Sequence, residues 1–221
     1  MTATARIAVL NLRTVAPYRS QVLLLLGLGV AIGAKSPAEL LPALGLLVTL
    51  IVTYPFNVAD KAGLETLYAV LPLPRRAVLY GHYAWAVASY LLVIAAGTAL
   101  DFFLARVEAV PLSGRTFLTM LTLSWALFVI NVAIQFPLLI RFGYTRASLL
   151  ATTVPLAALF FLITKLDQTI TSNQIWLPLI AVAGITAMAA SVAIATTADR
   201  RRVHYGRPTR SDSTGRNEHP K

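Results

Sequence analysis

The sequence predicts an all-α membrane protein of six transmembrane helices, with both termini on the cytoplasmic side. Three observations carry this. The 221 residues are 57% hydrophobic and only 13% charged, where a soluble domain carries about a quarter charged residues. Apolar runs of about 20 residues recur along the chain, the length a helix needs to cross a hydrocarbon core. The basic residues fall between these runs with a one-sided bias. Helices are favoured over a barrel because the runs are continuously apolar, whereas barrel strands are about ten residues long and alternate apolar with polar. In lipid a helix also satisfies its own backbone amides within one segment.

Taken in order, residues 1–17 are polar on one side and carry Ile7, Leu10 and Val15 on the other, which predicts an interfacial helix. The first three arginines are too widely spread for the compact basic region of a cleaved signal. The first span covers 18–34; its clean apolar core is short, so it either crosses or is re-entrant. The second covers 37–58, with Ser36 as N-cap, Pro37 in the first turn and Glu39 closing a capping box. The third covers 74–104, the fourth 117–140, the fifth 147–163 and the sixth 176–198. Together 18–202 form the membrane domain. Residues 203–221 are polar, basic and rich in Pro, Gly and Ser, which predicts a disordered cytoplasmic tail.

Orientation follows from Lys and Arg. With the N-terminus inside, the cytoplasmic segments carry Arg6, Arg13, Arg19, Lys61, Arg75, Arg76, Arg141, Arg146 and the seven basic residues of the tail. The outer loops carry only Lys35, Arg106, Arg115 and Lys165. Six spans and this bias support each other, and they predict a multi-pass protein of a plasma membrane. The net charge of +10 sits between apolar runs and in the tail, so it points to lipid headgroups and not to nucleic acid.

Catalytic chemistry finds little to stand on. With no cysteine, disulfides and thiol catalysis are excluded. His82, His204 and His219 do not converge, and no HExxH helix is present. No metal or cofactor site is expected on the chain, and no enzyme activity.

The connection 60–76, DKAGLETLYAVLPLPRR, is not explained by spanning alone. Leu64, Leu67, Tyr68 and Leu71 recur on one helical face, with Lys61 and Glu65 off it, and Pro72 and Pro74 end the segment. Arg75 and Arg76 would stand in the first turn of the third helix, where the macrodipole disfavours cations by up to about 1 kcal/mol. Lipid phosphates, Asp60, Glu65 or an acidic partner would compensate them. The loop is either a plain interfacial connection or a docking segment for a soluble partner.

At these residues the chain resembles the ABC-2-type permeases, the membrane subunits of bacterial ABC exporters. The resemblance rests on Asp60, Gly63, Leu71, Pro72 and Arg75 within residues 54–83, and on Pro137, Arg141, Gly143, Tyr144 and Arg146 within 136–148. The six-span layout extends it over nearly the whole membrane part. It implies a permease that works as a pair, a homodimer or with a paralogue, and binds two cytoplasmic ABC ATPase subunits. The 60–76 loop would be the coupling helix seated in the ATPase, and residues 1–17 the elbow helix. ATP and Mg would be bound by the partner, since no Gly-rich phosphate loop of the Walker type occurs here. Asp60 stands where Glu is common in the family and Arg141 where Lys is common; both keep the charge.

Polar residues inside the spans are the remaining candidates. Tyr54 and Asn57 lie near the inner end of the second helix, and Asn131 and Gln135 stand one turn apart in the fourth. They either hold helices together or line a pathway. Asp101, near the outer end of the third helix, is expected to be solvated or paired with Arg106 or Arg115; a proton or substrate role is the alternative. Trp85 and Trp176 read as interfacial anchors, and Trp125 as a bundle residue. Gly29 and Gly33, and Gly184 with its neighbouring alanines, offer small faces for close packing. Rival readings are a secondary transporter or channel without an ATPase, and an accessory or immunity membrane protein.

Overall fold

The computed structural model describes residues 3–33, 37–63, 75–107, 113–145, 147, 149, 153 and 176–205. Every regular element among them is helical: α1 (Ala3–Val15), a 3-10 turn (Ala16–Tyr18), α2 (Arg19–Gly33), α3 (Pro37–Lys61), α4 (Arg75–Val107), α5 (Gly114–Phe142) and α6 (Trp176–Tyr205). Four helical stretches are long and apolar enough to cross a membrane: Leu40–Lys61, Arg76–Val107, Gly114–Phe142 and Trp176–Thr197. They correspond to the second, third, fourth and sixth expected spans. Helix α2 stands where the first was expected, but its 15 residues reach only about 22 Å at 1.5 Å per residue, against a core of about 30 Å. Of the fifth span, 147–163, only Ala147, Leu149 and Thr153 are described, all helical; the rest lies outside the described residues.

Local chemistry sets the helix ends. Ser113 is extended, and its Oγ accepts the Thr116 amide at 3.1 Å, so α5 starts with a side-chain N-cap three residues before the expected 117. Helix α3 keeps going through Pro42 and Pro55, as membrane helices tolerate. Its buried Thr49 and Thr53 hydroxyls donate back to Leu46 O (2.6 Å) and Leu50 O (2.7 Å), so neither needs a partner helix. Helix α6 runs through 203–205, where the tail was expected to begin.

Helices α3, α4 and α5 enclose the core. Leu44, Val48 and Val52 from α3 meet Tyr83, Ala86 and Tyr90 from α4 and Phe128, Val132 and Phe136 from α5. Helices α3 and α4 are antiparallel: Phe56 stacks on His82 (ring centroids 4.5 Å) at one end, and Gly97 meets Leu41 and Leu44 near the other. Helices α3 and α5 run parallel, Gly45 against Ser124 and Phe56 against Phe136. A Cβ at Gly45 would stand 2.8 Å from Ser124 O, so glycine is what allows this crossing. Consequently Lys61, Arg76 and Arg141 gather at one end, the basic end.

Helix α6 is fastened to α5 and α4. Trp125 lies over Gly184 and donates its Nε1–H to Ala181 O at 3.4 Å. Ser191 Oγ donates to Ala133 O (3.1 Å), which leaves Tyr83 Oη to donate to Ser191 (2.7 Å). Trp125 is thus a bundle residue. Trp85, expected as an anchor at the interface, has its indole nitrogen buried without a hydrogen-bond partner among the described residues. Trp176 is 48% exposed at the head of α6.

Helix α1 packs on α4, and its inward stripe is Ile7, Asn11 and Val15 at four-residue spacing; Leu10 is turned out, 44% exposed. The expected apolar face put Leu10 in the stripe, but it lies about 100° from Asn11 around the helix. Asn11 is buried because its amide donates to His82 Nδ1 at 3.2 Å. Gly81 lets Ile7 come this close.

Candidate functional site

The last turns of α3 and α5 place most of the described candidate residues together at the basic end. Helix α3 ends with Asp60 and Lys61. The Ala62 amide donates to Val58 O (2.9 Å) and the Gly63 amide to Asp60 O (3.3 Å), while Gly63 turns the chain at φ +62. Helix α5 ends at Phe142, with Arg141 exposed in its last turn. Gly143 follows at φ 78, ψ 163 and donates its amide to Leu139 O at 2.9 Å. Tyr144 is already helical, so the expected loop is reduced here to a corner one residue wide. That backbone region is essentially reserved for glycine.

Asp60 bridges the two ends. Its Oδ2 accepts the Thr145 amide at 2.7 Å and also the Thr145 hydroxyl. A carboxylate that takes up a free amide at a helix start does the work of an N-cap, here supplied by another helix. Gly143 is required by its backbone angles and not by space, since a Cβ there would stand at an ordinary 3.7 Å from Asp60 Oδ1. Asp60 was expected at the membrane edge, as one of several candidate counter-charges for Arg75 and Arg76 whose test lies outside the described residues; the structure also ties it to Thr145, a residue the sequence reading passed over. A glycine two positions before a threonine at a helix restart is the signal that could have marked it.

Tyr54, two turns before Asp60, donates its hydroxyl to Gln21 Oε1 of α2 at 3.0 Å, and its ring lies 5.5 Å from that of Tyr18. Burial raises the Tyr144 phenol above its usual 10. Asn57 Oδ1 is buried without a partner among the described residues. Arg76 is exposed; the Arg75 side chain, residues 64–74 with Leu64, Glu65, Tyr68, Leu71 and Pro72, and Arg146 lie outside the described residues.

Asn131 and Gln135 are buried as a ladder along α5. Asn131 Nδ2 donates to Leu127 O (3.1 Å), Gln135 Nε2 donates to Asn131 Oδ1 (3.3 Å), and Gln135 Oε1 is left without a partner among the described residues. No hydrogen bond among the described residues joins them to Tyr54 or Asn57.

Asp101 differs from expectation. It is 2% exposed and its Oδ1 has no hydrogen-bond partner among the described residues, while Arg106 and Arg115 are exposed and form no ion pair with it. The cause is the close contact of Gly97 with α3, which turns the 97–101–105 face of α4 inward.

These features define a multi-spanning helical membrane protein in which no cluster of metal-ligating side chains occurs among the described residues. A family model described as ABC-2 family transporter protein matches residues 12–197, from within α1 to the end of the last apolar stretch. The chain therefore belongs to the ABC-2 family of transporter proteins and is a membrane component of a transporter. No curated protein and no solved structure matches it.

Proposed function

We propose that the chain is the permease subunit of an ATP-driven exporter in a bacterial plasma membrane. In this reading six spans form the pathway with both termini inside. A second copy or a paralogue completes it, and the 60–76 loop docks on a separate ABC ATPase that holds ATP and Mg. Family membership supports the permease role, since ABC-2 membrane proteins typically partner with ABC ATPases.

The observation that carries the coupling assignment is the Asp60–Thr145 tie. It joins the first residues of the loop to the corner after α5, so a displacement of the loop by a partner is passed to two spanning helices at once. Docking on the 64–74 segment would use Glu65, Arg75 and Arg76, which the sequence places at its edges.

The test is purification of the tagged chain in mild detergent from its native host, with mass spectrometry of copurifying proteins. A stoichiometric ATPase is expected, depleted by Arg75→Glu and by Glu65→Arg while the bundle stays folded. A folded chain that never carries an ATPase would overturn the reading in favour of a secondary transporter or accessory protein.

A further inference from the structure

Among the described residues Asp101 is the only buried side chain that carries a formal charge at neutral pH. A buried carboxylate is normally paired or held by several donors, and an ionisable group in a spanning helix marks function by default. The contacts that flank Asp101 along α4 are apolar. One turn back, Gly97 lies against Leu41 and Leu44 of α3; beside it, Phe102 packs on Phe117 of α5 with ring centroids 5.4 Å apart. The antiparallel register sets Asp101 at the level of the first turn of α3, whose helix begins at Pro37. The positive end of that helix eases the burial of an anion, yet Oδ1 receives no hydrogen bond from the described residues. The counter-charge is therefore missing from the described surroundings, at the end of the bundle opposite the basic end.

We propose that Asp101 is the counter-charge of a binding site for an organic cation, reached when the far ends of α3 and α4 part. Resting on the transporter reading, this gives the substrate class: an amphipathic molecule with an ammonium or comparable cationic group. Its apolar part would meet the leucine and phenylalanine walls, and its charge would meet Asp101. Closure of the walls on an empty carboxylate is costly, so the occupied site favours the parted arrangement.

The full-length chain in phosphatidylglycerol nanodiscs, with tetraphenylphosphonium as probe and empty discs as background, tests this by equilibrium dialysis. Saturable phosphonium binding is expected, weakened about tenfold or more by Asp101→Asn, with no saturable binding of the equally large anion tetraphenylborate. Discs containing phosphatidylethanolamine separate two sources of the cation. Displacement of the probe by this lipid assigns the site to a lipid ammonium headgroup; unchanged binding assigns it to a diffusible cation. Equal phosphonium binding by wild type and Asp101→Asn overturns the proposal. Should Asp101→Asn not fold, the wild type decides, because absence of saturable phosphonium binding, or equal borate binding, overturns it as well. The permease alone is measured, so failure here leaves ATPase coupling intact, and absence of a copurifying ATPase leaves the binding result intact.

Discussion

At Gly143 the backbone holds φ 78, ψ 163, a region that costs any other residue about 1–3 kcal/mol. Gly143→Ala is therefore expected to lower the melting temperature in detergent, although its Cβ would sit at an ordinary 3.7 Å from Asp60 Oδ1. An unchanged melting temperature would mean that the corner relaxes freely. The Asp60–Thr145 pair is partly open to solvent, so its charge-assisted bonds sit at the low end, about 1.5 kcal/mol. Asp60→Ala should cost about that much, and Thr145→Val less, because the backbone amide still reaches Asp60. Equal losses for both would shift the weight to the hydroxyl. Tyr144 supplies a pH dependence. Its phenol is raised by burial, so the unfolded chain releases this proton first as pH rises past about 10. The sign follows: Tyr144 leaves stability untouched below that range and lowers it above. Thermal melts of wild type and Tyr144→Phe from pH 8 to 11 should diverge only at the alkaline end.

Between elements, attachment depends on small residues and single polar bonds, since lipid offers no hydrophobic drive for helix association. A Cβ at Gly184 would stand 2.7 Å from Trp125 Nε1. Gly184→Leu should push α6 off α5 and disturb the Trp125 bond to Ala181 O, read as a red shift of tryptophan emission; unaltered emission would show that Trp125 does not depend on this seat. The Tyr83–Ser191 bond links α4 to α6 across the core. A double-mutant cycle of Tyr83→Phe and Ser191→Ala is expected to give a coupling of about 0.6 kcal/mol and no more than about 1.7. A coupling of zero would make the bond incidental to packing. Helix α1 is held by Asn11 on His82 and Ile7 on Gly81, so it belongs to the bundle on one face and leaves Leu10 and Leu12 exposed on the other.

On the scale of the whole molecule, the absence of cysteine makes topology directly measurable. Single cysteines at Lys61, Arg141 and the tail should be labelled by a membrane-impermeant maleimide only from the cytoplasmic side, and one at Ser113 only from outside. Labelling of the tail cysteine from outside, with Arg141 still inside, would remove one crossing after Arg141, with 147–163 as the first suspect. The four apolar helices and the family were legible in the residues, because lipid forces each spanning segment to be apolar along its whole length and helical within itself. Those constraints act locally, so a one-dimensional pattern carries them. Leu10 was misplaced, Trp85 was put at the surface and Thr145 was missed for one common reason: each depends on which face meets which neighbour. An apolar lipid-facing side and an apolar core-facing side look alike in sequence, and small residues alone do not say what approaches them. The sequence by itself determined that this chain is a helical membrane protein of the ABC-2 kind, and where its basic end lies. Only the tertiary structure decided that Asp60 caps the segment after Gly143, that Asn11 is buried on His82, and that Asp101 is buried one turn from the contact of Gly97 with α3, because those outcomes arise from contacts between residues tens of positions apart.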